Sequence, residues 1–163
     1  MATFTAARAA SNFPVASLSS TQGPLMVAWG VYDIATNPTA ADIINMCRVP
    51  AGATVIGGFV QAVDLDTNGT ETIDFDAGWA DNGTDSADPD GFGNFGVQTG
   101  DASVHLPVAG IYLPFANIIQ SAGFKTFAAP TTLTITNVAT AATGGTGIIK
   151  LVAWYVGGGI ATP

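Results

Sequence analysis

Turn signals punctuate this chain about every 8–12 residues, and the segments between them carry almost no helical period. Short strands are what such a pattern allows. Leu25 to Ile34 reads as the first, with Val27, Trp29 and Val31 on one face and Met26, Ala28, Tyr32 and Ile34 on the other. Asn37-Pro38-Thr39 turns the chain into Asp42 to Val49, which Pro50-Ala51-Gly52 closes. Thr54 to Asp64 follows, with Gly57-Gly58 as a bulge or bend. Asp66-Thr67-Asn68-Gly69 predicts a tight hairpin turn, because Asn-Gly supplies positive φ angles. Thr70 to Ala77 then alternates, with Ile73, Phe75 and Ala77 pointing one way and Thr72, Asp74 and Asp76 the other. Strand character returns at Ser103 to Leu113, Phe124 to Phe127, Thr132 to Val138 and Gly147 to Val156. About eight short strands predict an all-β fold, a two-sheet antiparallel sandwich. Long cross-connections favour a jelly roll over an up-and-down barrel.

Two segments stand apart from the strands. Residues 1–22 are rich in Ala, Ser and Thr and read as an extended N-terminal arm ahead of a single domain at 23–163. Residues 78–102 hold Asp81, Asp85, Asp88, Asp90 and Asp101 among many glycines and read as a long acidic loop. Loops of that length are usually functional or mobile.

Charge is scarce. The 163 residues include four Lys/Arg and twelve Asp/Glu, while 48% are apolar. A folded chain of this size exposes on the order of 7,500 Å², which so few charges cover thinly. Two strands are also apolar on both faces. Gly147 to Val156 places Ile148, Val152, Trp154 and Val156 with Lys150 on one side, and Ile149, Leu151, Ala153 and Tyr155 on the other. Leu25 to Ile34 has the same character. An antiparallel strand with one wet face should alternate, so the second face needs a cover: the acidic loop or the N-terminal arm would serve, and the scarcity of charge favours another subunit. The predicted interface residues are Phe4, Phe13, Val15 and Leu18 of the arm, and Trp29, Tyr32, Trp154 and Tyr155 of the two strands.

Several function classes lack support. No apolar run reaches the roughly 18–20 residues of a membrane-spanning helix, and the first ten residues lack the apolar core of a secretory signal. The net charge of −8, with Arg8, Arg48, Lys125 and Lys150 scattered, argues against nucleic acid. The single cysteine, Cys47, excludes an internal disulfide and a cysteine zinc site, and reads as a small buried hydrophobe. His105 is the only histidine, and no Gly-x-Ser-x-Gly elbow accompanies it. Paired acids such as Asp74 and Asp76 serve glycosidases, but nothing in the sequence fixes a cleft around them. The chain is therefore not expected to be an enzyme. Calcium is the one cofactor with a candidate site: Asp85, Asp88 and Asp90 could offer it oxygens. Ser86 to Gly91 follows the first half of an EF-hand loop, yet the closing position falls on Val97, which has no side-chain oxygen. A solvated loop that keeps an apolar particle soluble explains the same residues.

The order of several motifs carries a resemblance. Ala41-Asp42-Ile43-Ile44-Asn45-Met46-Cys47-Arg48-Val49-Pro50-Ala51-Gly52-Ala53 is followed by Asp64-Leu65-Asp66-Thr67-Asn68-Gly69-Thr70, then by Ile73-Asp74-Phe75-Asp76-Ala77-Gly78. This succession resembles small tailed-bacteriophage virion proteins of the capsid decoration, or cement, type. It covers about residues 41–78 well, and continues loosely through the acidic loop and Thr131 to Thr136. The resemblance implies a structural protein on the outer surface of a phage head, bound to the major capsid protein. It also implies a homo-oligomer, a trimer by analogy, and no catalytic residues. The alternatives are another virion component, such as a head-fibre base or tail protein, or a calcium-dependent carbohydrate-binding jelly roll using Trp79 and the loop acids.

Overall fold

The computed structural model describes residues 24–98, 110–117 and 124–157. They form nine strands: β1 (Met26–Ile34), β2 (Ile43–Val49), β3 (Ala53–Val63), β4 (Asp74–Trp79), β5 (Asp88–Val97), β6 (Gly110–Pro114), β7 (Lys125–Thr126), β8 (Thr131–Ala139) and β9 (Gly147–Gly157). One sheet runs β1-β9-β3-β6, with β7 also pairing β3, and the other runs β2-β8-β4-β5. The antiparallel pairs β1 with β9, β2 with β8, β3 with β6 and β4 with β5 are nested inside one another. That is one long hairpin rolled into two sheets, the jelly roll expected from the sequence.

The core lies between the sheets and follows the alternation of each strand. Ile73, Phe75, Ala77 and Trp79 are buried from β4 and its approach, Leu133 and Ile135 from β8, and Ile149, Leu151 and Ala153 from β9. Aromatic rings fill one end. Phe92 stacks on Phe115 at 4.8 Å between centroids, and Trp79 meets Phe92 at 5.0 Å and Phe127 edge-on at 5.4 Å. At the β1–β2 edge the sheets approach backbone to backbone. A Cβ on Gly30 would lie 2.0 Å from the Met46 carbonyl oxygen, and Met46 is the residue bulged out of register between Asn45 and Cys47.

Four expectations change. The stretch 78–102 is not one long loop, because β5 lies within it. Its glycines concealed the strand. A side chain at Gly91 would strike the Trp79 ring and one at Gly93 the Phe95 ring, so contact with neighbours and burial of Phe92 override weak strand propensity. Asn68-Gly69 does not make a hairpin either. β3 and β4 belong to different sheets, and Gly69 is not among the positive-φ glycines. The chain there crosses from sheet to sheet, with the Asn68 Oδ1 accepting the Thr70 N–H at 2.9 Å. β4 begins at Asp74 rather than Thr70. Finally, the bulge expected at Gly57-Gly58 falls one residue earlier: the β3–β9 register shifts between Val55 and Gly57, which leaves Ile56 unpaired, while Gly57 and Gly58 face Trp154 and Ala153. Among the described residues, no helix is long and apolar enough to cross a membrane.

Candidate interaction surface and acidic sites

Cross-strand register puts Val27 beside Trp154, Trp29 beside Val152 and Val31 beside Lys150 on the outward face of β1 and β9. The same row continues onto β3 and β6, where Trp154 faces Gly57, Val152 faces Phe59, Phe59 faces Pro114 and Gln61 faces Tyr112. The rings of Phe59 and Tyr112 are 5.1 Å apart and those of Phe59 and Trp154 are 6.1 Å apart. Trp29 is 64% exposed, and Val27, Val31, Ile148, Val63 and Trp154 are exposed with it. With these side chains each about half exposed, the face offers a few hundred Å² of apolar surface, within the roughly 300–600 Å² of the largest patch on a typical monomer, a patch that is often functional.

The outward face of the other sheet has opposite chemistry. Asn45 lies beside Thr134, Thr134 beside Gly78, and Thr136 beside Asp76. Hydroxyls and carboxylates hold the β8–β4 part of this face, and Ile43 is exposed beside Thr136 on β2. A Cβ on Gly78 would sit 1.9 Å from the Asp88 carbonyl oxygen, so the start of β5 lies against this face and helps to bury Thr134.

The predicted interface residues separate. Trp29 and Trp154 share the apolar face. Tyr155 sits on the inward side of β9 and packs against the core. Tyr32 pairs with Ile149 at the inward parity, yet its position near the end of β1 leaves it exposed. Phe4, Phe13, Val15 and Leu18 lie outside the described residues, as does His105.

The acids fall into three environments. Asp66 is buried, and its carboxylate accepts backbone N–H groups from Thr72 at 2.7 Å, Ala142 at 2.9 Å, Thr143 at 3.0 Å, Ile73 at 3.2 Å and Asn68 at 3.3 Å. Burial alone would raise its pKa, but the backbone donors outweigh burial and hold it far below the carboxylate range. Asp85 bonds Lys125 at 2.8 Å, the Asn82 amide at 3.0 Å and the Ala128 N–H at 2.9 Å. Lys125 and then Asn82 draw its pKa down to about 2. Lys125 itself lies 5.2 Å from the centre of the Trp79 ring and 5.3 Å from that of Phe127. The third group occupies β4 and β5. Burial, then the charge of Asp74, push Asp76 up to about 6. Burial raises Asp74, and burial followed by a hydrogen bond with Asp90 raises Asp88.

The proposed calcium residues Asp85, Asp88 and Asp90 are thus held apart in role. Asp85 ties Lys125 to the 128–129 turn, while Asp88 and Asp90 are near neighbours on β5 and Asp90 helps to raise Asp88. Among the described residues, no three His, Cys, Asp or Glu side chains gather so as to hold a metal ion. Burial pushes the Cys47 thiol up to about 11, which removes it as a nucleophile at neutral pH. Asp66 escaped the sequence reading as anything beyond a turn residue. Two of its donors come from residues 76 and 77 positions further on, beyond the reach of any local pattern.

No protein-family model and no curated protein sequence matches the chain. Solved structures do. A chain of the cyanophage Pam1 capsid asymmetric unit matches with a TM-score of 0.63 and 23% identity, over 90% of this chain and 94% of that one. A capsid chain of Ralstonia phage GP4 matches with a TM-score of 0.61 and 21% identity, over 90% and 93%. At these identities the likeness is one of fold, and it spans nearly the whole of each chain.

Proposed function

We propose that this protein is a structural component of a phage virion, of the capsid decoration type. It assembles as a homo-oligomer and sits on the outer surface of the head, where it bridges major capsid subunits. The observation that carries this reading is the exposed apolar face of the β1-β9-β3-β6 sheet, on a jelly roll whose full-length structural matches are chains of phage capsids. A contiguous apolar patch of this kind often marks an interaction site. The acidic balance of the chain suits a position away from packaged DNA.

The mechanism is additive. Each contact buries apolar area at roughly 25 cal/mol per Å², and many copies on one shell act together through avidity. The test uses purified protein and phage heads that lack it. Light scattering should give an oligomer, and the protein should co-sediment with the heads and raise their resistance to heat. Trp29→Asp together with Trp154→Asp, still folded by circular dichroism, should dissociate the oligomer. A wild-type monomer that leaves heads unbound would overturn the reading.

A further inference from the structure

Four buried side-chain oxygens among the described residues have no hydrogen-bond partner: Asp74 Oδ1, Asp76 Oδ1, Thr136 Oγ1 and Asn137 Oδ1. Three of them share one patch. Asp76 and Thr136 are direct cross-strand partners between β4 and β8, so their side chains leave the sheet on the same face. Asp74 joins them, because Ile73, Phe75 and Ala77 take the core positions on either side. Asp76 is 8% exposed. A buried carboxylate oxygen without a partner carries the full cost of its lost hydration, and native structures rarely leave three such atoms together.

Neighbouring groups make the patch more negative. From β5, Asp90 adds a further like charge, and only the Phe95 N–H opposes it at Asp76. Asp90 also acts on Asp88 and helps to raise it. From β8 the group opposite Asp76 is the neutral Thr136 hydroxyl. Lys125 is engaged with Asp85. Nothing on the described strands supplies a positive charge to Asp74 and Asp76 themselves.

We infer that Asp74, Asp76 and Thr136 form a binding site for one calcium ion on the outward face of the β2-β8-β4-β5 sheet. The donor set is oxygen only, two carboxylates and a hydroxyl, which is the chemistry of a hard cation. Calcium tolerates irregular geometry and completes its six to eight ligands with water. With two charged ligands, the site belongs in the weak range, roughly 10⁻⁴–10⁻³ M. The ion bridges β4 to β8 and gives the Asp74, Asp76 and Thr136 oxygens the partner they lack within the protein. Asp85 is not part of the site, because Lys125, Asn82 and the Ala128 N–H already engage its carboxylate.

The test is thermal unfolding of the full chain near neutral pH, first in EDTA and then with calcium at about 5 mM, above the expected dissociation constant. Sodium chloride of equal ionic strength is the control. The melting temperature should rise by several degrees with calcium, beyond the sodium control, and return on chelation. Asp76→Asn should melt no lower than the wild type in EDTA and lose the calcium response. Asp81→Asn, on the exposed turn after β4, should keep it. Thr136→Val and Asp74→Asn carry the same comparison should Asp76→Asn fail to fold. No calcium-specific rise in the wild type, or a full rise retained in both Asp74→Asn and Thr136→Val, overturns the inference. Either result leaves the virion role standing, because that role rests on the opposite sheet.

Discussion

Replacing Asp66 by asparagine should cost this protein about 3–5 kcal/mol, a large share of the roughly 5–15 kcal/mol that holds a domain together. The figure follows from counting acceptors. Oδ2 takes the N–H groups of Thr72, Ile73 and Ala142, and Oδ1 takes those of Thr143 and Asn68. Asparagine keeps one oxygen and turns the other position into a donor. In its better orientation the oxygen retains the first three, and the new amide then points at two backbone donors. Each orphaned donor costs about 1–3 kcal/mol, and the three surviving bonds lose the extra strength of a charged acceptor. Urea unfolding at neutral pH should show the midpoint falling by about 1–3 M with an unchanged slope. The effect should also depend on pH with a defined sign. A carboxylate held below its unfolded pKa, about 4, contributes fully above that value and loses the contribution as pH falls through it toward the folded one. The difference between wild type and Asp66→Asn should therefore be largest at neutral pH and shrink toward pH 2. A loss below about 1 kcal/mol at pH 7, or one that does not change with acidification, would refute the reasoning.

Asp76 has the opposite sign. Its folded pKa is raised to about 6, so its contribution is complete below the unfolded value near 4 and is lost as pH rises through 6. In EDTA, wild-type stability should fall by up to about 2 kcal/mol across that window after allowance for solvent screening, and Asp76→Asn should flatten the fall. Denaturant midpoints at intervals of pH would reveal it, and parallel curves for the two proteins would sink it. Gly30→Ala should destabilise by about 1–3 kcal/mol or more, because the added methyl meets the Met46 backbone rather than a movable side chain. A chemical midpoint equal to the wild type would show that the β1–β2 edge yields easily.

The parts of the structure legible in the sequence were those with local periodicity. Ile73, Phe75 and Ala77 alternate inward, and Ile148, Val152 and Trp154 share the outward face of β9, as two-residue spacing requires. The two-sided apolar character of β1 and β9 marks the exposed face in the sequence itself. What escaped depended on residues distant in the chain. β5 is written in glycines whose purpose is visible only against Trp79 and Phe95. Asn68-Gly69 has the composition of a hairpin, yet the flanking strands go to different sheets. The sharing of a face by Asp74 and Asp76 was readable, but the Thr136 hydroxyl beside them was not, since sheet order decides it. Lys125 likewise gives no local sign of reaching Asp85, 40 residues away.

The outermost pair of the nested hairpin has a consequence for how the molecule is made. β1 lies at a sheet edge, and its sheet partner is β9, the last strand of the nine. During synthesis the first strand therefore leaves the ribosome more than a hundred residues before its partner exists. At about 5–20 residues per second, that is a wait of roughly 5–20 s for an apolar ribbon carrying Val27, Trp29 and Val31. Among the described strands only β9 pairs with β1, so a prematurely terminated chain presents a sticky, half-paired sheet. The last eleven residues of the described sandwich act as its latch, and the nascent protein is most exposed to aggregation in the seconds before they arrive.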